Sequence, residues 1–398
     1  MNDQSNSPEP QFQTPYTLVA TDGCFHAMME RIRGVRRLAV DIEADSLYHY
    51  FEKVCLLQLS TDDETFIIDP LTVTAVGELG PLMSDSTIEK VFHASGYDIF
   101  CLHRDYNFTF ANIFDTHLAG SLLGYEKLGL GIMMKTLLGV HHPKDCTRDD
   151  WSRRPLLAEQ LEYAAMDTHH LLRLRDALEK ELLRKDRLEW AREEFEATAL
   201  AERSVKGFDQ EGFRRIKGFH ALDVRRRLAL RALYLFRDEA ARKLDAPPFK
   251  VMNNSVLIDL SRRPPLSAQE LYKRPGVSYR VARKFGTEIV DLIASSIEGD
   301  PAILDLPPRP AAKPPGHAAR HSLELLKEWR RVKAEDLKLH VGVIFPANLL
   351  ENLAADPPEN MDELMAFPGI RRWRAREFGS DILQTLYSAN TTDAIVKP

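Results

Sequence analysis

The chain has 398 residues and a formal net charge of −6, and polar residues interrupt every apolar run before it reaches the length of a membrane span. This length predicts two to four domains. The negative net charge gives no sign of nucleic-acid binding, which would have to come from a local basic region. Residues 1–15 are polar throughout, so we expect a disordered tail and no signal peptide. The four cysteines are widely spaced without a C-x-x-C motif, which favours reduced thiols in a cytoplasmic protein.

The first predicted elements are a strand and a helix between Thr17 and Gly34. Three strands are then predicted at Arg37–Glu43, Lys53–Ser60 and Thr65–Asp69. Because the segments between these strands are short, we expect the strands to pair as antiparallel hairpins.

After Pro70 the pattern changes to alternating strands and helices. Short strands are predicted at Lys90–His93 and Asn112–Phe114, and helices at Tyr97–Arg104 and Leu156–Leu174. Hairpin strands followed by this alternation predict an α/β domain in which helices flank a mixed sheet.

Two carboxylates end the strand at Arg37–Glu43. Asp41 and Glu43 are two residues apart, so both side chains point to one face of the sheet and Ile42 points to the other. Such carboxylates repel each other unless a cation lies between them. A polar strand end that runs into a turn explains the same residues equally well.

Further acidic residues follow at useful positions. Asp98 comes just after a predicted strand, near the edge where open α/β sheets bind ligands, although a helix-capping acid is an equally simple explanation. Tyr163 and Asp167 are four residues apart on a predicted helix and therefore share one face. Taken alone, such a pair is usually structural.

Taken together, these residues resemble one family, the ribonuclease D branch of the DEDD-type 3′–5′ exonucleases, which has a tyrosine in its last motif. The matching stretches are Val40–Glu43, His93–Asp98, Phe114–Thr116, Asp150–Leu156 and Tyr163–Asp167. The resemblance covers roughly residues 17–180 and implies a ribonuclease H-like fold. One departure is Ile42, where the family often has threonine, but this side chain points away from the carboxylates.

The resemblance also implies a mechanism. By resemblance, Asp41, Glu43, Asp98 and Asp167 hold two divalent cations, and Tyr163 orients the attacking water. Carboxylate oxygens without histidine or cysteine suit Mg²⁺ or Mn²⁺. Two such ions can bind the attacking and leaving oxygens of a phosphodiester. A tyrosine hydroxyl has a pKa of about 10, so it is better suited to orient water than to deprotonate it.

Weaker candidates for substrate contact are Gln58, on the neighbouring strand, and Trp151 with Arg153, which combine an aromatic ring with a cation. A role at the entry of a helix is as good an explanation for Trp151 and Arg153. Asp115 precedes Thr116 at a strand-to-helix junction, where a capping role is favoured over a ligand role.

Three other groups are expected to be structural. Asp45 lies in a predicted turn. The adjacent pairs His141–His142 and His169–His170 have no cysteine nearby, so we expect solvated or packing side chains.

The second half of the sequence contains a repeat with a constant offset of 93 residues. The matched positions include Pro264 with Pro357, Gly276 with Gly369, Phe285 with Phe378 and Gly286 with Gly379. The pattern resembles the HRDC domain, which implies a helical accessory that contacts nucleic acid. We predict an exonuclease domain at 16–205, HRDC-like copies at 211–298 and 321–390, and a proline-rich linker at 299–320.

The two copies differ in charge. Residues 211–296 contain 18 basic and 9 acidic residues, whereas residues 321–388 contain 9 basic and 11 acidic residues. The first copy, with its run Arg225–Arg227, is therefore predicted to contact phosphates. The second copy is predicted to pack against another domain or to help surround the RNA.

The sequence thus predicts a metal-dependent 3′–5′ exoribonuclease that releases nucleoside 5′-monophosphates. The resemblance points to maturation of transfer-RNA 3′ ends by a cytoplasmic enzyme without a membrane anchor, and nothing in the sequence requires more than a monomer. Two alternatives stay open at this point. One is the same chemistry on DNA, and the other is a nucleic-acid-binding scaffold with an inactive nuclease domain.

Overall fold

A computed structural model describes residues 14–143, 146–201, 207–304 and 316–395. The predicted N-terminal tail, apart from its last two residues, and half of the predicted linker lie outside these ranges. Within them, no helix has the length and apolar character needed to cross a membrane.

Six strands form one mixed sheet within the described residues, in the order β1-β4-β3-β2-β5-β6. The strands are β1 (Thr17–Val19), β2 (Arg37–Ala44), β3 (Val54–Ser60), β4 (Thr65–Ile68), β5 (Glu89–Phe92) and β6 (Ile113–Asp115). β3 and β4 pair antiparallel, as predicted for a hairpin. β2 and β5 pair in parallel, as do β5 and β6, so the carboxyl ends of these three strands meet at one edge.

Helices cover both faces of this sheet, which confirms the predicted α/β fold. They are α1 (Asp22–Arg31), α2 (Gly80–Ser84), α3 (Gly96–Tyr106), α4 (Thr116–Leu123), α5 (Leu130–Leu138), α6 (Ala158–His169), α7 (Leu171–Arg184) and α8 (Leu188–Leu200). Every residue of β3 is buried, because Leu57 and Leu59 join the main core and Leu56 joins a second cluster with Trp151 and Ala164.

The predicted helix at Leu156–Leu174 is in fact two helices. α6 ends at His169, and His170, with φ of −107° and ψ of 4°, separates it from α7. The apolar periodicity continues across this break, which explains why the sequence pattern did not reveal it.

The described residues of the second half contain two sets of five α-helices whose boundaries agree with the predicted repeat. The first set is α9 (Val224–Leu244), α10 (Pro248–Val251), α11 (Asn254–Arg262), α12 (Ala268–Tyr272) and α13 (Tyr279–Ile297), and the second set is α14 (His317–Leu337), α15 (Val341–Ile344), α16 (Ala347–Ala355), α17 (Met361–Ala366) and α18 (Arg372–Ile395). Each helix of the second set begins 93 residues after its counterpart. The turn before the last helix also repeats, because Gly276 and Gly369 have φ of +84° and +85°, values that favour glycine.

The described residues divide into two compact units. The first contains residues 14–43, 54–201 and 316–395, that is, most of the nuclease part together with the second helical copy. The second contains residues 44–53 and 207–304. The predicted nuclease domain at 16–205 is contiguous, whereas in the structure the segment between β2 and β3 groups with the first helical copy.

Specific contacts hold this segment within the second unit. The Tyr50 hydroxyl donates a hydrogen bond of 2.7 Å to Asp238, and the Tyr50 amide donates one of 3.1 Å to Asp245. The Lys250 ammonium lies 4.0 Å from the centre of the Tyr48 ring. At the start of the segment, Asp45 lies in a turn, as predicted, and its carboxylate accepts a hydrogen bond from the amide of Lys53.

Part of the basic character of the first copy is used in contacts within that copy. In the run Arg225–Arg227, each guanidinium donates to a backbone carbonyl, namely those of Ile297, Arg262 and His220. These arginines tie α9 to neighbouring segments, so the phosphate contact predicted for this copy has to be sought on another of its faces.

Candidate active site

Three of the four carboxylates predicted from the sequence meet at the carboxyl edge of the sheet, whereas the fourth, Asp98, lies near enough to raise the pKa of Asp41 but outside this close group. Asp41 and Glu43 lie near the carboxyl end of β2, and one ligand oxygen from each lies within 4.8 Å of an oxygen of Asp167 on α6. The intervening Ile42 is buried and belongs to the apolar core. Alternation along the strand thus places two acids on the site face and one apolar side chain in the core.

Asp98 reaches the site from the first turn of α3, and a neighbouring acid fixes the turn that leads to it. Ala94, in the left-handed region with φ of 61°, and Ser95 both donate backbone hydrogen bonds to Asp115. Asp115 also accepts from the backbone amides of His117 and Leu118, which confirms its predicted capping role. One carboxylate therefore holds two helix starts in place.

The electrostatics of the site are unfavourable in the protein alone. Burial raises the pKa of Asp41 well above its usual value, and Asp167, Asp98 and Glu43 raise it further. The pKa of Asp98 is raised by burial, then by Asp115 and Asp167. A cation bound among these oxygens would remove both penalties.

Tyr163 lies one helical turn before Asp167, as predicted. Its hydroxyl lies 3.4 Å from the Thr147 hydroxyl, and its ring packs at a tilt against Trp151, with the ring centres 6.2 Å apart. Burial and the nearby Asp167 raise the pKa of Tyr163 far above its ordinary value. The hydroxyl therefore keeps its proton at neutral pH.

The structure adds one residue, His142, that the sequence prediction had treated as solvated or packing. Its Nε2 lies 2.9 Å from Oδ1 of Asp167, and its ring meets the ring of Tyr163 edge to face, with the centres 5.1 Å apart. His142 follows α5 in a loop, so no helical or strand spacing relates it to the acidic motifs. The only available signal was its position between two matched motifs.

The three proposed substrate contacts fare differently. Gln58 and Trp151 are both fully buried, so neither reaches a surface that a substrate could touch, and the prediction for these two was wrong. Their residue types suggested binding, but strand alternation places Gln58 towards the interior, and Trp151 packs against Ala164 and Tyr163. Arg153 is exposed and donates to Asp150, and its contact with substrate stays a prediction.

A cleft of about 520 Å³ opens beside the acidic group. It is lined by the first turn of α5, by Lys135, by the loop at 141–143 and by Tyr163 and Asp167. Lys135 and the protonated Tyr163 hydroxyl both line this cleft, and these two groups can donate hydrogen bonds to the oxygens of a phosphate-bearing ligand.

The donor set fits divalent metal ions. The four side chains supply only carboxylate oxygens, which Mg²⁺ and Mn²⁺ prefer. Oδ2 of Asp98 is buried and accepts no hydrogen bond from any described residue, so it has an unused position for a ligand. A mixed sheet with such an acidic group at its carboxyl edge defines a metal-dependent nuclease.

Comparison with known proteins supports this class. The 3′-5′ exonuclease family matches residues 16–183, and the HRDC domain family matches residues 226–293 and 321–386. Ribonuclease D of Acidiphilium cryptum is 28% identical over 95% of this chain and 94% of its own length. The exosome complex component 10 homolog of Caenorhabditis elegans is 34% identical over 65% of this chain, but the match spans only 30% of that longer protein.

Solved structures show the same fold. Ribonuclease D of Escherichia coli, at 24% identity, superposes with a TM-score of 0.69 over 94% of this chain and 99% of its own. Residues 16–183 are therefore a 3′–5′ exonuclease domain, and two HRDC domains follow it. The chain is similar to ribonuclease D over nine tenths of its length and is a 3′–5′ exoribonuclease.

Proposed function

We propose that the chain removes nucleotides one at a time from the 3′ end of RNA and releases nucleoside 5′-monophosphates, using two Mg²⁺ or Mn²⁺ ions. We further propose transfer-RNA precursors as substrates and a cytoplasmic monomer as the working form. The observation that carries the proposal is the close group formed by Asp41, Glu43 and Asp167. Ribonuclease D relatives that match more than nine tenths of the chain support RNA as the polymer.

The four acidic residues have a common role in this proposal. Asp41, Glu43, Asp98 and Asp167 would hold the cations, and the buried, unused oxygen of Asp98 supports its inclusion. When bound, the cations would lower the pKa of an attacking water and neutralise charge on the leaving oxygen. Asp115 would act indirectly, because it holds the turn that positions Asp98.

Tyr163 and His142 would position the reacting groups. Because the Tyr163 hydroxyl keeps its proton, it can donate a hydrogen bond to the attacking water or to the phosphate but cannot act as a base. His142 contacts Asp167 and so restricts the orientation of that carboxylate. The adjoining cleft would accept the last nucleotide of the chain.

The decisive experiment compares the two polymers directly. RNA and DNA of one sequence, each labelled at the 5′ end, are incubated with the full chain and Mg²⁺ beside an Asp41→Asn control. We expect a ladder of products, each one nucleotide shorter than the last, on RNA, and no shortening with the control. A ladder on DNA alone would favour the DNA exonuclease, and no shortening of either polymer would contradict catalysis at this site.

A second comparison tests the substrate class. A transfer-RNA precursor with extra 3′ nucleotides and an unrelated hairpin with the same 3′ extension are trimmed in parallel. We expect the precursor to be trimmed with the higher kcat/KM. Equal values for the two RNAs would remove transfer RNA as the preferred substrate without affecting the proposed chemistry.

A further inference from the structure

In the second helical copy, the face at the start of the last helix packs on another part of the chain. The first turn of α18 packs on α8, where Trp373 stacks on Trp190 with ring centres 4.5 Å apart and an angle of 16°. The backbone amide of Trp373 donates 3.0 Å to Glu193, and its indole donates 2.9 Å to Glu194. This face of the module therefore binds carboxylates and an aromatic ring.

Arginines complete the same contact. Arg376 donates 2.7 Å to Glu193, Arg374 pairs with Glu194, and Arg371 lies 3.6 Å from Glu194. The basic residues of this face are thus neutralised by acids of α8. The predicted packing of the second copy against another domain is confirmed by these contacts.

The first copy presents the equivalent face with different side chains. The offset of 93 residues relates Arg280 to Trp373 and Arg283 to Arg376. Both Arg280 and Arg283 are exposed, and neither forms an ion pair with any residue in the described ranges. Residues 271–287 contain five basic residues, of which Arg274 pairs with Glu270 and Asp259, while the other four form no ion pair with any described residue.

Two tyrosines lie beside these arginines. Tyr272 is 53% exposed and Tyr279 is 62% exposed, and their rings meet edge to face with centres 5.6 Å apart. The second copy has Met365 and Arg372 at the corresponding positions, so the tyrosine pair is specific to the first copy. Contact of two neighbouring aromatic rings with water is unfavourable, so a partner that covers both rings would gain binding free energy.

We propose that this surface, formed by Tyr272, Tyr279, Arg280 and Arg283, binds single-stranded RNA. Bases stack on the two tyrosine rings, and the arginines contact the adjoining phosphates. The charge of the surface favours a polyanion, and the exposed rings favour one that carries planar bases. The inference rests on the proposed function, since it assigns part of the RNA binding to a specific site on the first copy.

Binding to RNA is measured by fluorescence anisotropy on the full chain, without divalent cations so that the RNA stays intact. The probe is an unstructured RNA of about 16 nucleotides, the upper end of the usual site size. The double substitution Tyr272→Ala with Tyr279→Ala should raise Kd about tenfold or more and leave the salt dependence unchanged. Tyr272→Phe with Tyr279→Phe should bind normally, because stacking does not require the hydroxyl.

The arginines have a different expected signature. Arg280→Ala with Arg283→Ala should weaken binding and make the dependence of log K on log salt shallower by up to about 1.4, the value for two phosphates of a single strand. The matched control, Lys327→Ala with Arg331→Ala, removes two charges from α14 of the second copy and should leave Kd unchanged. Thermal unfolding of each variant checks that α12 and α13 stay folded.

Three outcomes overturn the inference. These are normal RNA affinity in both double variants, a loss with phenylalanine as large as with alanine, or an equal loss in the control on α14. Normal affinity in both variants would leave an acidic protein as the partner for this surface. Hydrolysis of RNA by the unsubstituted chain is measured separately, so failure of the proposed function and failure of this binding site are distinguishable.

Discussion

Two groups of partly or fully buried carboxylates in the first unit have opposite electrostatic environments. At the sheet edge, Asp41 and Asp98 face other acids, and their pKa values are raised by burial and by those acids. On α8, Glu194 accepts hydrogen bonds from Trp373 and Arg374 of the second helical copy. The protein neutralises the second group itself and leaves the first to be neutralised from outside. In the proposed function the first group serves chemistry, whereas the second group holds the second helical copy on α8.

The largest effect is expected when a site acid is removed. Asp41→Asn should lower kcat by about a thousandfold or more, which is roughly 4 kcal/mol of transition-state stabilisation, because the cations lose a ligand. Steady-state hydrolysis of labelled RNA measures this effect. Glu189→Gln, on the exposed surface of α8, is the control and should keep normal activity. Near-normal kcat for Asp41→Asn with saturating metal would contradict the site.

Removal of the paired acid should instead affect stability. Glu194→Ala leaves the guanidinium of Arg374, whose side chain is 8% exposed, without its carboxylate. Loss of one partner from a buried pair costs about 3 kcal/mol, so the free energy of unfolding should fall by that amount while kcat is retained. Denaturant unfolding measures the loss. If Glu194→Ala lowered kcat and left stability unchanged, the distinction between the two groups would be wrong.

Loss of the tyrosine hydroxyl should have an intermediate effect on catalysis. Tyr163→Phe should lower kcat about a hundredfold, or roughly 2.7 kcal/mol, since one positioned hydrogen-bond donor is lost. A donor that keeps its proton adds no basic limb to the pH–rate profile below the ordinary tyrosine pKa. The variant and the parent should therefore have pH–rate profiles of the same shape near neutral pH. A basic limb that disappears with the substitution would indicate that Tyr163 loses its proton during catalysis.

His142 contacts Asp167, one of the proposed metal ligands, and extends the comparison to a residue that does not bind the metal itself. His142→Ala should weaken Mn²⁺ binding about tenfold, because Asp167 loses the contact that orients it. Isothermal titration calorimetry with Mn²⁺ measures this independently of turnover. The adjacent His141, which is exposed, gives the matched control His141→Ala with unchanged affinity. Equal losses in both variants would indicate a general disturbance of the loop.

The smallest effect is expected on the free energy of unfolding, which the buried carboxylate of Asp98 lowers at neutral pH. A carboxyl whose pKa is raised by folding stabilises the protein below its unfolded pKa of about 3.9, and this contribution is lost as the pH rises through the folded-state value. Without divalent cations at pH 7, Asp98→Asn should therefore raise the free energy of unfolding above that of the parent. The gain should vanish below pH 4. A destabilised variant at pH 7 would contradict the assigned direction of the pKa shift.

The sequence was most informative where local geometry links the residues. Strand alternation correctly grouped Asp41 with Glu43, and helical spacing correctly grouped Tyr163 with Asp167. The repeat offset located both helical copies because insertions are absent between matched helices of the described ranges.

Predictions failed where tertiary packing decides. Gln58 and Trp151 have the residue types of binding sites but lie in the interior, and His142 reaches the site from a loop whose path no periodicity defines. The break at His170 was missed because two consecutive helices can keep one apolar period. In each case, the residue type was compatible with several environments, and only the fold selected one.

The constant offset between the two helical copies has an evolutionary consequence. Since α9–α13 and α14–α18 begin at matching positions, the duplicated module has diverged by substitution alone within these helices. The same face of the module thus packs on α8 in the second copy and is exposed in the first, without any change in the spacing of the helices. In protein design, exchange of a few side chains at the start of α13 or α18 should therefore be sufficient to convert the exposed face into one that packs on α8, or the reverse.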